Sequence, residues 1–220
     1  MQPSFIKHAR LDVLFSLAIV GSIATTTVMA QEPTATGNPA RGAVLSSSCI
    51  GCHGISGYRN AYPTYRVPKL GGQHPDYIVI ALQGYKNQMR PHKTMHSQAV
   101  SLSDQDMKDI AAFFASQGAI QKAAAPLGTA PEMASTCVVC HGEGGVSSVP
   151  NWPSLAGQHK DYIIHALKEY KGALRKDPVM GGMAAPLTAQ DIEELATYFS
   201  SQPGLSTVHN AVSPKTASSK

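Results

Sequence analysis

Cys49-Ile50-Gly51-Cys52-His53 recurs as Cys137-Val138-Val139-Cys140-His141, and these four cysteines are all that the chain contains. Cys-x-x-Cys-His is the attachment signature of c-type haem. Helix positions three apart share a face, so Cys49 and Cys52 can both reach one edge of a haem and form thioethers there. His53 follows at once, placed to bind iron from the proximal side, and Cys137, Cys140 and His141 repeat the arrangement. The other ring nitrogen of each histidine should donate to a backbone carbonyl, which sets ring orientation and basicity. The proline stretches Pro63 to Pro68 and Pro150 to Pro153 could supply that carbonyl. Zinc ribbons also use Cys-x-x-Cys pairs, but roughly 15–20 residues apart, whereas Cys52 and Cys137 are 85 apart. A dithiol redox site would need a βαβ setting that the sequence lacks. The pattern therefore predicts two covalently bound haem c groups.

Outward from these motifs the chain is a duplication. Leu70-Gly71-Gly72-Gln73-His74-Pro75-Asp76-Tyr77 lies over Leu155-Ala156-Gly157-Gln158-His159-Lys160-Asp161-Tyr162 at an offset of 85. That register holds without a gap through Tyr85/Tyr170, Leu102/Leu187, Asp106/Asp191, Phe114/Phe199 and Gln117/Gln202. The haem motifs are offset by 88, so repeat one carries three extra residues between His53 and Leu70. Two homologous domains follow, with one haem motif each.

Both repeats read as all-α. Asn38-Pro39 suits a helix start, with Asn as cap and Pro at the first helical position, and the helix should run on into Cys49–His53. A second helix begins near Pro75, with Tyr77, Ile78, Ala81, Leu82 and Tyr85 at helical spacing. The third starts at Ser103, where Asp106 completes a capping-box pattern, and buries Met107, Ile110, Ala111 and Phe114. Repeat two restates it as Thr188/Asp191 followed by Ile192, Leu195, Ala196 and Phe199. No stretch shows the sustained alternation of a strand. The expected division is a signal peptide over 1–30, an N-terminal domain over 31–117, an Ala-rich linker over 118–130, a C-terminal domain over 131–202, and a flexible tail over 203–220.

Lys7, His8 and Arg10 precede the apolar run Val13 to Ala24, and Val28-Met29-Ala30 offers small residues for cleavage before Gln31. That run is shorter than the about 20 residues of a membrane span. Export would place the chain in the periplasm. The chain is 43% hydrophobic, as a globular protein is, and its formal charge of +4 falls to +3 without the leader. Haem propionates would offset that excess, and no basic stripe with interleaved aromatics suggests nucleic acid.

The sixth iron ligand separates an electron carrier, closed by Met or His, from an enzyme with an open position. At the 85-residue offset Met95 falls on Met180, whereas Met89 falls on Leu174 and Met183 on Gln98. Met95 and Met180, in the loop after the second helix of each repeat, are therefore the predicted axial ligands, each seven residues before Leu102 or Leu187. His92 and His96 are the rivals, but their counterparts are Asp177 and Gly181. His74 and His159 match each other and read as surface or capping residues, with a haem-edge or interdomain contact as the alternative. His165 and His209 receive no role, and Met107 and Met133 read as core.

Together these features resemble the cytochrome c4 family of tandem dihaem class I cytochromes c. The set comprises a leader, two Cys-x-x-Cys-His motifs, two Leu-(Gly/Ala)-Gly-Gln segments, and a Met before Leu-(Ser/Thr)-x-x-Asp in each half, and it covers nearly all of residues 38–202. The resemblance implies two small helical domains, each around a His/Met haem, with propionate edges approaching each other. It implies a periplasmic one-electron carrier, with a donor such as a quinol–cytochrome c reductase and an acceptor such as a terminal oxidase; peripheral membrane association stays open. The alternatives are the dihaem subunit of a larger oxidoreductase, such as a flavocytochrome sulfide dehydrogenase, and a dihaem peroxidase, against which the matched methionines argue. Two departures stand out. Gly42 becomes Ala130 with Pro131 beside it, which should shorten the helix before Cys137. Repeat one also has Arg90, Lys93 and two histidines around its methionine, charges expected to raise the first haem's potential or to dock an acidic partner.

Overall fold

The computed structural model describes residues 36–120 and 124–208. The leader at 1–30, His209 and the rest of the tail, and 121–123 of the linker lie outside the described residues. Regular structure in the described residues is helical, save for isolated bridges pairing Arg59 with Arg66 and Gly71 with Ser206. No helix in them is long and apolar enough to cross a membrane.

Repeat one opens with α1 (Pro39–Leu45), where the Asn38 side chain accepts from the amides of Ala40 and Arg41 and Pro39 fills the first position. The helix does not run unbroken into the haem motif. Ser46, buried and with ψ near 0°, ends α1, and α2 (Ser47–His53) then carries Cys49, Cys52 and His53. Three successive serines are weak helix formers, which favours a joint there. Next come α3 (Pro75–Lys86), α4 (Lys93–Ala99) and α5 (Asp104–Ser116). Both halves of the predicted capping box form: Asp106 donates its amide to Ser103 Oγ at 3.1 Å, and Ser103 donates its amide to Asp106 Oδ2 at 3.0 Å. Ile50, Ile78, Leu82, Tyr85, Met107, Ile110 and Phe114 close the first core.

Repeat two builds α6 (Ala134–His141), α7 (Lys160–Lys171), α8 (Pro178–Ala184) and α9 (Ala189–Ser201), with its own core around Ile163, Leu187, Ile192, Leu195 and Phe199. A shortened helix was expected before Cys137; among the described residues repeat two instead has no counterpart of α1, and the contact between α1 and α5 explains why. A Cβ built on Gly42 would lie 1.9 Å from the Asp109 carbonyl oxygen, so the two backbones meet at a distance only glycine permits. The equivalent residue is Ala130, and a turn replaces the helix.

Two expectations need correction. Met95 and Met180 do not sit in loops but within α4 and α8, whose first turns are capped by side chains. The flexible tail does not begin at residue 203. Gly71 and Ser206 exchange backbone hydrogen bonds of 3.0 and 3.1 Å, Leu205 donates to the Ala156 carbonyl at 2.8 Å, and Val208 is 2% exposed in the first core. Residues 203–208 thus strap the second domain back onto the first.

The domains join through the repeated Gly-Gln. Gln73 Nε2 donates to the Ser154 carbonyl at 2.9 Å and its Oε1 accepts from the Ser154 amide at 3.0 Å. Gln158 does the same to Lys69, at 3.0 and 2.9 Å. Ser154 is the counterpart of Lys69, so the two contacts are one contact used twice, as in an isologous interface. Gln73 and Gln158 are 4% and 6% exposed. Losing Gln73 leaves the two buried backbone groups of Ser154 unpaired, so Gln73→Ala should destabilise the haem-loaded protein by roughly 2 kcal/mol or more, read from denaturant unfolding.

The capping box sets an acid limb of stability. Ser103, then Arg41, hold the Asp106 carboxyl down at about 2. A carboxyl lowered on folding contributes stability above its ordinary value of 3.8 and loses it as pH falls toward about 2. Ser103→Ala should raise that carboxyl and flatten the pH dependence of stability across this window, checked by NMR titration and acid unfolding.

Candidate functional site

Each haem motif closes a short helix. Cys49, Cys52, Cys137 and Cys140 are half-buried thiols, none paired in a disulfide. Until haem is attached, burial pushes the thiols of Cys49 and Cys137 up. His53 Nδ1 lies 2.8 Å from the Pro68 carbonyl oxygen, and His141 Nδ1 lies 2.8 Å from that of Pro153. A carbonyl can only accept, so Nδ1 carries the proton and Nε2 is left with the free lone pair. Burial also lowers both imidazoles, which keeps them neutral, as a metal ligand must be. The predicted proline carbonyls are thus in place in both repeats, at matched positions.

Met95 is half-buried and packs on the first core together with Cys49. Met180 is half-buried in α8, which packs on α7. His92 Nδ1 accepts from the Met95 amide at 3.1 Å, and Asp177 Oδ1 accepts from the Met180 amide at 2.9 Å. The mismatch of His92 with Asp177 therefore hides one shared task, capping the turn that carries the methionine. His96 is tied through Nδ1 to the Tyr85 carbonyl at 3.0 Å. Met89 and Met183 are exposed, Met107 is fully buried, and Met133 lies against the second core.

Several contacts at the domain interface were not expected from the sequence, while that of His74 matches the alternative given for it. His74 holds the N-cap position of α3 without capping it; its Nε2 lies 2.9 Å from the Ser147 carbonyl of the other domain. Burial and the cations of Lys69 and Arg66 push His159 down to about 4. His165 stacks on Tyr65, ring centres 4.1 Å apart, and its Nε2 lies 3.0 Å from Glu169 Oε1. Arg90 does not face solvent. It is 9% exposed, lies 5.3 Å over Tyr77, and donates to the Tyr77 hydroxyl at 2.6 Å. Arg175 lies 5.6 Å over Tyr162 and pairs with Glu169 at 2.6 Å. Arg90 and Arg175 match at the 85-residue offset, as do their tyrosines; that match was the overlooked signal, and it removes Arg90 from the charges peculiar to repeat one.

The donors fit a haem held by two thioethers and an imidazole in each repeat. Among the described residues, no three His, Cys, Asp or Glu side chains converge as a metal cage, so the cysteine pairs do not meet as zinc ribbons do. The cytochrome c family model matches residues 39–118 and 132–203. Cytochrome c4 of Thiocapsa roseopersicina is 36% identical over 179 residues, spanning 74% of this chain and 91% of that protein. This chain belongs to the cytochrome c4 family. The crystal structure of reduced cytochrome c4 from Pseudomonas stutzeri superposes with a TM-score of 0.59 at 30% identity, over 78% of this chain and all of that one. Thiosulfate dehydrogenase of Marichromatium purpuratum superposes at 0.59 and 26% identity, over 75% of this chain and 40% of that one. As a cytochrome c4, the chain carries two covalently bound haem c groups, through Cys49 and Cys52 and through Cys137 and Cys140. It is a dihaem electron carrier, each haem supplying a one-electron iron centre.

Replacing Cys137 and Cys140 together with alanine should therefore leave one covalent haem per chain, counted by pyridine haemochrome and by the mass of the intact protein.

Proposed function

We propose that this cytochrome c4 works as a periplasmic carrier whose two irons are both closed, by His53 and Met95 in the first repeat and by His141 and Met180 in the second. One observation carries the reading: each repeat prepares both axial donors in the same way. A prolyl carbonyl fixes the proton on the histidine Nδ1, and a side-chain cap holds the amide of the methionine. A closed coordination sphere suits electron transfer, since ligand exchange would slow it and invite side reactions. The leader-like residues 1–30 support export, and partners such as a quinol–cytochrome c reductase and a terminal oxidase fit a carrier there.

A second reading rests on the likeness to thiosulfate dehydrogenase, of which this chain covers 40%. Under it, the chain is the electron-accepting unit of a sulfur-oxidising complex. Co-purification with a catalytic subunit would favour this reading, and a monodisperse free protein would favour the first.

The direct test is the optical spectrum of the dithionite-reduced protein before and after carbon monoxide. We expect no change in the wild type. Met180→Ala should bind carbon monoxide at one haem and keep both haems attached. Carbon monoxide binding to the wild type, or an unchanged six-coordinate spectrum in the variant, would refute the ligand assignment.

A further inference from the structure

The peptide unit between Pro68 and Lys69 is engaged at both ends. Its oxygen faces His53 Nδ1 at 2.8 Å, and its N–H donates to Gln158 Oε1 of the other repeat at 2.9 Å. The unit between Pro153 and Ser154 repeats this: its oxygen faces His141 Nδ1 at 2.8 Å, and its N–H donates to Gln73 Oε1 at 3.0 Å. A hydrogen bond accepted from one end of an amide polarises it and makes its oxygen a stronger acceptor at the other. A stronger acceptor draws the Nδ1 proton and gives the imidazole more imidazolate character, which makes it a better donor to iron. Each chain of hydrogen bonds crosses the domain boundary. It starts on a glutamine of one repeat and ends on the proximal histidine of the other.

We propose that Gln73 and Gln158 are crossed positioning residues: Gln158 sets the basicity of His53 and Gln73 that of His141, so each domain tunes its neighbour's iron. This rests on the reading that His53 and His141 bind iron. The glutamine shifts electron density toward the metal and so favours the oxidised state. Removing it raises the midpoint potential of the opposite haem and leaves that of its own haem in place.

The test is a redox titration of the holoprotein with Gln158→Leu and Gln73→Leu, the two waves being assigned from the NMR signals of the haem methyl groups in partly oxidised samples. Gln158→Leu should raise the first haem's potential alone, and Gln73→Leu the second's alone. The Nδ1 proton of the affected histidine should move upfield as its hydrogen bond weakens. Both substitutions loosen the same interface, so a merely structural role would shift the same wave or both waves in each variant, and that result would overturn the proposal. Unchanged potentials in both would overturn it too. Gln158→Glu keeps an acceptor at Oε1 and should hold the first wave at or below its wild-type position. Loss of either histidine's iron bond, visible as a high-spin spectrum in the wild type, would sink the underlying ligand reading instead.

Discussion

The peptide group that follows the proline in each Pro-x-Leu segment holds the molecule together. Its carbonyl orients the histidine that ends a haem helix, and its amide anchors the neighbouring domain. An amide buried at such a place must have both groups satisfied, and here neither is satisfied by regular structure. The two requirements were met by the same two residue types, a histidine on one side and a glutamine on the other. The setting of His53 and His141 and the docking of the domains are therefore not independent properties of this chain. A shift in how the domains sit would be felt at both histidines.

Duplication explains why such an arrangement arises. When two copies of one domain pack about a pseudo-twofold axis, any surface residue near that axis meets its own counterpart's neighbourhood. Gln73 meets Ser154 and Gln158 meets Lys69, and Arg90 and Arg175 each settle on two matched tyrosines. The symmetry is incomplete. Gly84 stands where repeat two has Glu169, so Arg175 has a carboxylate partner, and Arg90 has tyrosine hydroxyls in its place among the described residues. Burial opposes the charge on Glu169, while His165 and Arg175 more than compensate and hold it ionised. The two halves therefore share a frame and differ in charge at its centre.

Much of this was legible in the sequence. The haem helices, the proline carbonyls and the paired capping boxes all follow from local spacing and from comparing one copy with the other, whereas the short helices that carry Met95 and Met180 do not. The missing helix before Cys137 was foreshadowed by Ala130, though its cause, the backbone contact at Gly42, needs the position of α5. Where the reading fell short, the residues act between copies. A motif present in both repeats announces a common task, but not whether that task lies inside a domain or across to the next. Gln73, Arg90 and His165 all belong to that class. His92 and Asp177 show the converse: unlike residues can cap the same turn, because both offer an acceptor at the right place.

Val208 carries a consequence for how the molecule is made. It is buried in the core of the first domain beside Ile50, in the helix that bears Cys49 and Cys52. A chain emerging from its N-terminus thus delivers the first haem-binding helix before the second repeat and the residue that seals it after that repeat. The domain written first is completed only after the second has been made, which leaves the helix of Cys49 and Cys52 unsealed until then.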